Sequence, residues 1–424
     1  MERQDGTAHV VVLGGGGIGS VAARALAATD DATRVTVADL DVDAARATVA
    51  AIGDPRFDAA AVDVGDGASL RGVVDGARVV LNCVGPFYRF GAPTLAAVID
   101  AGVDYVDVCD DLDATRRMLE LDGAARAAGV RAVIGMGNSP GLANVFVKLC
   151  AEWFLDEVRT ADIMHIHGGE PDEGAAVLKH RIHAMTNDVP LFVDGAFVDV
   201  RMLEESGAPF VRDEEFPDVG TFPVHPYPHP ETITLPTAFP TLRGATNLGV
   251  VLPLPYFRMT QDLVRAGMAS DDPVRVGDVE VAPIDVMVAL LRRERPRLLA
   301  EAGVTGPGGC LKVVVGGVRD GEEHTYVCTV SSSEAGAGEG TGIPAALGAI
   351  LALRGSLGGG PGVHPPEVLV PVADLLGLAG VVVAALDVGG TGPGGASGGF
   401  PIRLEHIGPD GVREPVPFDL GASS

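Results

Sequence analysis

The chain has 424 residues, which is more than one ordinary hydrophobic core organises, so two domains are expected. Its 57 acidic and 31 basic residues give a net charge of −26, which disfavours nucleic acid and anionic lipid as partners. No apolar run approaches the ~20 residues of a membrane span and residues 1–6 form no apolar signal region, so a cytoplasmic location is expected.

The first predicted element is a buried strand at residues 10–13, followed by a glycine-rich loop, a helix of small residues and a second strand ending at Asp39. Gly14, Gly16 and Gly19 fill the G-x-G-x-x-G spacing, and Asp39 lies about twenty residues beyond the last of them, as in a dinucleotide-binding fold. The cofactor-binding residues predicted from this stretch are Gly14, Gly16, Gly17, Ile18, Gly19, Asp39 and Leu40.

Each of these residues has a distinct physical task. Gly14 permits the turn out of the strand, Gly16 lets the backbone approach a pyrophosphate, and Gly19 lets the helix pack closely on the strand. Asp39 accepts hydrogen bonds from both ribose hydroxyls and repels a 2′-phosphate, and the following Leu40 offers no compensating positive charge. This pattern favours NAD over NADP.

Strands and helices continue to alternate, with further strands predicted at residues 59–64, 77–84, 105–109 and 131–137. The alternation predicts a doubly wound parallel sheet of the Rossmann type, which binds its ligands outside the carboxyl ends of the strands. We therefore assign residues 1–145 to a dinucleotide-binding domain. The strand ends add Asp63, Val64, Cys83, Val84, Gly85 and Pro86 to the predicted cofactor-binding residues.

The pattern changes after residue 145 to one typical of an α+β domain with a mainly antiparallel sheet, which we place at residues 146–338. Strands are predicted at 191–202, 231–235, 249–259, 311–316 and 324–331, and the proline-rich residues 222–230 are expected to be irregular. Residues 339–388 are predicted to be helical and to return to the first domain. Residues 389–424 comprise a glycine-rich linker and a hairpin about residues 409–411.

Seven short motifs stand in order at residues 14–19, 82–88, 104–107, 137–144, 229–236, 341–344 and 362–367. Together they resemble the saccharopine dehydrogenase-like family, whose members include saccharopine reductases, lysine 6-dehydrogenases and carboxynorspermidine dehydrogenases. The resemblance implies a Rossmann domain, a substrate domain, hydride transfer at a carbon–nitrogen bond with NAD(P), and a homodimer. It also gives weight to His229, Glu231 and Thr232, for which a solvated proline-rich loop is the alternative interpretation.

Candidate catalytic residues follow the fourth and fifth predicted strands. Asp110 or Asp111 would bind a substrate ammonium or exchange its proton, although either would equally cap the following helix. Tyr88 would shield the substrate or hydrogen-bond to it, and Arg89 would pair with a carboxylate, with loop packing as the alternative. Asn138 lies in a turn at the same edge and is a candidate substrate ligand or a cap.

A basic cluster at residues 179–183 stands out in an acidic chain. If it forms a strand, Arg181 and His183 share one face that suits a substrate carboxylate, and a solvated basic turn is the alternative. His165 and His167 also alternate onto one face, but no spacing supplies a third metal ligand, so a structural role is favoured. The five cysteines are scattered without C-x-x-C spacing, and no metal site is expected.

The resulting hypothesis is an NAD-dependent oxidoreductase that transfers a hydride at an amine or imine of an amino-acid-like substrate. Its candidate catalytic residues are Tyr88, Asp110, Asp111, His183 and Glu231, and its candidate substrate ligands are Arg89, Asn138, Arg181 and Thr232. Two alternatives remain open: an NAD(P)-dependent reductase of a C=O or C=C bond, and a nucleotide-binding sensor or scaffold without turnover.

Overall fold

A computed structural model describes residues 8–171, 173–332, 337–386 and 402–417. The chain divides into two compact units. The first unit contains residues 1–156, 338–405 and 413–424, and the second contains residues 157–337 and 406–412. The predicted linker at 389–399 lies outside the described residues. None of the helices in the described part of the chain is both long and apolar enough to cross a bilayer.

The strands in chain order are β1 His9–Leu13, β2 Arg34–Asp39, β3 Phe57–Ala61, β4 Val79–Asn82, β5 Asp104–Asp107, β6 Arg131–Val133, β7 Glu157–Gly168, β8 Asp188–Val193, β9 Ala196–Arg201, β10 Arg212–Phe216, β11 Gly220–Pro226, β12 Gly244–Leu252, β13 Val274–Val276, β14 Val279–Val281, β15 Gly308–Arg319, β16 Glu322–Ser332, β17 Gly362–His364, β18 Ile402–Ile407 and β19 Arg413–Pro415. The helices are α1 Gly17–Ala27, α2 Val42–Ile52, α3 Gly67–Val74, α4 Phe87–Asp100, α5 Leu112–Leu119, α6 Asp122–Ala128, α7 Leu142–Trp153, α8 Ala175–Ala184, α9 Glu231–Ala238, α10 Leu254–Arg265, α11 Pro283–Glu301, α12 Ala337–Arg354, α13 Pro366–Leu369 and α14 Val372–Leu386, with a 3₁₀ turn at Ala208–Phe210.

The first unit contains the predicted Rossmann sheet, with strand order β17-β6-β5-β4-β1-β2-β3 and parallel pairing throughout. Strand β1 is apolar beyond its first residue because helices cover both faces of such a sheet, and Val10 to Leu13 are fully buried. The predicted fold class is confirmed. Strand β17, which comes from more than two hundred residues beyond β6, pairs with it and completes the sheet.

The ends of four strands, β3 to β6, were predicted two to four residues too far along the chain, and two of these differences are described here. Strand β3 ends at Ala61, so Asp63 and Val64 lie in the following turn rather than at a strand end. Strand β6 ends at Val133, because the backbone of Gly135 adopts a left-handed conformation with φ of 76°.

The second unit is built on a mixed sheet in which β10, β11, β12, β7, β15 and β16 lie side by side in that order. The pairing is antiparallel except between β7 and β12, which run parallel at its centre. Strand β8 pairs with β12 and with β9. The β15–β16 hairpin confirms the strands predicted at 311–316 and 324–331. The helical segment α12–α14 belongs to the first unit, as does α7.

Several elements of the second unit differ from prediction. Residues 231–238 form helix α9 rather than a strand, and residues 254–259 lie in helix α10. The predicted strand at 191–202 is the end of β8 and the whole of β9. Strand β11 includes prolines of the segment expected to be irregular, because over most of its length it pairs only with β10. Strands β18 and β19 form a hairpin about the predicted turn.

Candidate active site

The glycine loop of the first unit leads directly from β1 into α1. Gly14 has φ of 93°, and its N–H donates to the carbonyl of Ala38 at 2.7 Å. A Cβ at Gly19 would overlap the carbonyl oxygen of Gly14. The helix therefore approaches the strand so closely that only glycine fits at position 19. By contrast, a Cβ built at Gly16 or Gly17 meets no atom within 4 Å from the described residues beyond its chain neighbours and the backbone of its own helix. The loop therefore leaves space at the helix N-terminus, where a phosphate finds unpaired N–H groups.

Asp39 ends β2 beside this loop. One carboxylate oxygen accepts from the N–H of Gly15 at 2.6 Å, and the other accepts from the N–H of Asp41 at 2.9 Å. The side chain is half-buried and so remains partly accessible, whereas Leu40 is 75% exposed. Asp39 thus braces the glycine loop in addition to presenting carboxylate oxygens to the space beside it.

The carboxyl ends of β4 and β5 are joined by a buried polar network. The Asn82 side-chain carbonyl accepts from the N–H of Val84 at 3.0 Å, and its amide donates to the Tyr105 hydroxyl at 2.9 Å. Asn82 and Tyr105 are both fully buried. This network fixes the loop of Cys83, Val84, Gly85 and Pro86, which was predicted to contact the cofactor.

Asp107 extends the network to β6 and was not singled out in the sequence. Its Oδ1 accepts from the N–H of Cys109 at 3.0 Å and of Gly135 at 2.7 Å. Burial raises the pKa of Asp107 to about 6, although these hydrogen bonds and that of Tyr105 oppose the rise. Burial, with the charge of Asp107, raises the pKa of Cys83 to about 12, so the thiol stays protonated. The signal in the sequence was the motif at residues 104–107, within which Asp107 was given no role of its own.

We expect Asp107→Asn to change the pH dependence of stability. A carboxyl group whose pKa is higher in the folded state than in the unfolded state loses a stabilising proton as the pH rises. The stability of the fold therefore falls between the ordinary aspartate pKa and the folded-state pKa of about 6. The amide has no such dependence and still accepts from the same N–H groups. Between about pH 5 and about pH 8, the unfolding free energy of the variant relative to wild type should therefore rise by about 1–2 kcal/mol. Urea unfolding at each pH tests this, and parallel curves for the two proteins would contradict it.

The structure corrects the prediction for Asp111. Its carboxylate accepts from the N–H of Ala114 at 2.8 Å and forms the N-cap of α5, so the helix-capping alternative is the right one. Asp110 precedes it and is half-buried. Tyr88 and Arg89 lie in the first turn of α4 rather than in a loop, and the exposed Arg89 guanidinium packs over the Phe90 ring at 4.9 Å.

The turn into α7 holds Asn138 and Asn144. Asn138 is half-buried, and its backbone carbonyl accepts from the N–H of Ala143 at 3.0 Å. Asn144 is fully buried, accepts from the N–H of Gly141 at 2.9 Å and donates to Glu367 at 2.8 Å. Asn144 is therefore a structural capping residue, and Asn138 is the more accessible of the two. At the far end of the sheet, Asp63 accepts from the N–H of Gly65 at 2.8 Å.

In the second unit, aromatic side chains gather on one face of the sheet. The His165 ring stacks on that of His167, with centroids 5.9 Å apart, and on that of His229 at 4.9 Å. The ring of Tyr227 packs edgewise against His165 at 5.0 Å and against His229 at 5.1 Å. His167 is half-buried, whereas the other three residues are buried. Sequence spacing placed His165 and His167 on one face but gave no reason to add Tyr227 and His229.

The predicted role of Arg181 is wrong in its geometry. Residues 175–184 form helix α8 rather than a strand, and both terminal nitrogens of Arg181 bind Glu173, at 2.9 and 2.7 Å. This bidentate pair is buried, so the terminal guanidinium nitrogens of Arg181 that bind Glu173 are not available to a substrate carboxylate. The Tyr256 hydroxyl donates to Glu173 at 3.0 Å, and Arg295 lies 3.0 Å from the same carboxylate.

The other predicted residues of this unit lie near the ends of two helices. His183 is half-buried in the last turn of α8. Glu231 begins α9 and is fully buried, with its Oε1 accepting from the Asn247 amide at 3.3 Å. The Thr232 hydroxyl donates to the backbone carbonyl of His229 at 3.1 Å, which is a structural contact. Within the described residues, no group of His, Cys, Asp and Glu side chains has the arrangement of a metal site.

Comparison with known proteins gives consistent matches. Residues 10–133 match the family model of the saccharopine dehydrogenase NADP-binding domain. The chain is 28% identical over 372 residues to carboxyaminopropylagmatine dehydrogenase of Synechocystis sp., with 82% of this chain and 89% of the relative covered. It is 25% identical over 393 residues to carboxynorspermidine synthase of Vibrio alginolyticus, with the same coverage.

A solved structure, that of apo saccharopine dehydrogenase (L-Glu forming) from Saccharomyces cerevisiae, has the same fold. It superposes with a TM-score of 0.62 at 18% identity and covers 87% of this chain and 96% of that one. The chain therefore resembles the saccharopine dehydrogenase-like family in both sequence and fold. The resemblance carried by the sequence motifs is thus confirmed.

The protein is an oxidoreductase with a nucleotide-binding domain of the NAD(P) type. The residues present fit such a nucleotide. Gly16 and Gly17 leave the space that a pyrophosphate requires, and Asp39 supplies carboxylate acceptors beside it. The family model is described as NADP-binding.

Proposed function

We propose that the protein is a dehydrogenase that oxidises an amine, or reduces the corresponding imine, in a substrate that also carries a carboxylate. The observation that carries this proposal is the match to carboxyaminopropylagmatine dehydrogenase over most of both chains. The name of that relative, and that of carboxynorspermidine synthase, describes a compound with a carboxyl group and amine nitrogens.

The charge of the chain supports a substrate with cationic groups. A net charge of −26 attracts ammonium and guanidinium groups and repels polyanions. When bound, the nicotinamide nucleotide accepts or supplies the hydride. The residues of the chain must then orient the reacting carbon, hold the nitrogen in the right protonation state and exclude water.

Fluorescence titration tests this proposal. The protein is titrated with NADH and with NADPH, alone and with lysine, saccharopine and related amines present. We expect tight binding of a reduced nucleotide that a carboxylated amine strengthens. Tight nucleotide binding without any response to amines would favour a C=O or C=C reductase or a sensor, and no binding of either nucleotide would contradict the proposal.

For the nucleotide itself, we propose a preference for NAD that depends on Asp39. Asp39→Asn removes the negative charge while keeping one oxygen acceptor for the N–H of Gly15, so loop geometry is retained. Asp39→Ser removes the charge, and its shorter side chain also withdraws the acceptor oxygen from the N–H of Gly15. We expect each variant to bind NADPH better relative to NADH, by about tenfold or more in the ratio of dissociation constants, since a 2′-phosphate no longer meets a carboxylate. An unchanged ratio in both variants would remove Asp39 from the ribose site.

A further inference from the structure

Three of the seven sequence motifs, at residues 137–144, 341–344 and 362–367, meet in the first unit at the turn between β6 and α7. The first of them forms the turn itself, and the other two reach it from far along the chain. The turn closes on its own backbone, because the N–H of Gly137 donates to the carbonyl of Pro140 at 2.9 Å. A short turn that distant segments also hold is a rigid support for a ligand-binding side chain.

Glu367 holds this turn through Asn144. The side-chain carbonyl of Asn144 accepts from the N–H of Gly141 at 2.9 Å, and its amide donates to the Glu367 carboxylate at 2.8 Å. Both side chains are buried. Because the two ends of the Asn144 amide are both hydrogen-bonded, Glu367 fixes its orientation and with it the position of the turn.

The first turn of α12 connects Asn138 with the glycine loop. A Cβ at Gly340 would lie 3.9 Å from Cγ of Asn138, and a Cβ at Gly338 would lie 3.4 Å from the carbonyl oxygen of Gly17. Two residues so spaced in a helix are about 5 Å apart. The half-buried carboxamide of Asn138 therefore lies close to the N-terminal end of α1, where a phosphate finds unpaired N–H groups.

The strand order indicates which half of a dinucleotide extends towards Asn138. In the sheet, β2 lies on one side of β1, whereas β4, β5 and β6 follow one another on the other side. In such a fold the pyrophosphate lies at the glycine loop, and an acidic residue after the second strand binds the adenosine ribose. The nicotinamide half must then extend over β4 towards β6, which is the side of the sheet that carries Asn138.

We propose that Asn138 binds the carboxamide of the nicotinamide ring, and that Glu367 is a positioning residue for this contact. The proposal rests on the nucleotide binding of the proposed function and not on its amine chemistry. The side chain of asparagine has a carbonyl acceptor beside an NH₂ donor, which is the complement of the same pair in the ligand. Asn138 contributes to the turn through its backbone carbonyl, which accepts from the N–H of Ala143 at 3.0 Å, so that bond does not require the side chain.

Calorimetric titration of the full-length protein with NADH and with ADP-ribose tests this contact, because ADP-ribose keeps the adenosine and both phosphates but lacks the nicotinamide. We expect Asn138→Ala to weaken NADH binding by about tenfold, as for the loss of one or two neutral hydrogen bonds, and ADP-ribose binding by less than about twofold. Unchanged ADP-ribose binding also shows that the variant is folded. The matched control is Asn187→Ala, a half-buried asparagine of the second unit, and it should bind both ligands like wild type.

Two variants of Glu367 test the positioning role. Glu367→Ala removes the acceptor of the Asn144 amide and should weaken NADH binding more than ADP-ribose binding. Glu367→Gln keeps an oxygen acceptor at that place and should restore NADH affinity towards wild type. Equal weakening of both ligands in Glu367→Ala, or no weakening of either, would overturn the positioning role.

The outcomes separate this contact from the proposed amine chemistry. An Asn138→Ala protein that binds NADH like wild type, or that loses NADH and ADP-ribose affinity equally, would overturn the role of Asn138 whatever the substrate is. The expected selective loss of NADH affinity, in a protein that oxidises no amine, would support this contact and contradict the amine chemistry alone. Wild-type protein that binds neither ligand would overturn both.

Discussion

Gly19→Ala should abolish tight nucleotide binding and lower stability. The added Cβ would overlap the backbone carbonyl of Gly14, and no side-chain rotation relieves a backbone clash. Helix α1 must then move away from β1, which we expect to cost about 3 kcal/mol or more, at the upper end of the range for overpacking. Because the same movement displaces the N–H groups of the loop, NADH affinity should fall by at least about tenfold.

Two glycine variants separate packing from binding. Gly72→Ala in α3 meets no heavy atom within 4 Å and should leave both stability and affinity close to wild type. Gly16→Ala also meets no protein atom, so it should retain the wild-type melting temperature yet lose nucleotide affinity, since only the ligand would occupy that space. A Gly19→Ala protein that melts and binds NADH like wild type would contradict the packing argument.

Glu173→Gln should be the most destabilising single polar substitution in the second unit. It leaves the buried Arg181 guanidinium without its carboxylate partner and Arg295 with only one of its two carboxylate partners, Glu170. Breaking a buried ion pair in this way costs about 3–5 kcal/mol of stability. The matched control is Asp31→Asn, which breaks a pair with Arg354 near the protein surface and should cost no more than about 1 kcal/mol. Urea unfolding of both variants measures the difference, and similar small effects would contradict the account.

The same pair predicts a dependence on acid. Burial alone would raise the pKa of Glu173, but hydrogen bonding and charge from Arg181, followed by the charge of Arg295, lower it to about 2. A carboxyl group whose pKa is lowered in the folded state stabilises the fold at every pH above its ordinary pKa. This contribution is lost as the pH falls from about 4 towards about 2. The penalty of Glu173→Gln should accordingly shrink over that range.

The first unit could be predicted well because its signals are local. The alternation of buried strands with helices, the glycine spacing and the position of Asp39 all lie within short windows of sequence, and the structure has each of them in the predicted order, with shorter strands. The missing strand, β17, joins the sheet from far along the chain, and no local periodicity indicates such a pairing.

The candidate site of the second unit was less predictable because it depends on contacts between distant segments. Nothing in the sequence indicated that Glu173 pairs with Arg181, because the pairing depends on the helical conformation of residues 175–184. The prediction of a strand for this segment led to the wrong role for Arg181. The stack of His165 on His229 depends on β7 meeting the loop before α9, with Gly249 leaving space for the ring. Asp111 was ambiguous in principle, since the same residue type suits a helix cap and a catalytic acid.

The measurement that tests the central claim most directly is amine-dependent reduction of NAD by the full-length protein. The substrates are a panel of amines and guanidino amines with and without a carboxyalkyl group on the nitrogen. The reaction is monitored by the absorbance of reduced nicotinamide. We predict turnover with carboxyalkylated amines and little or none with the parent amines. Nucleotide binding without turnover of any amine, or turnover only with carbonyl or alkene substrates in the reverse direction, would contradict the account.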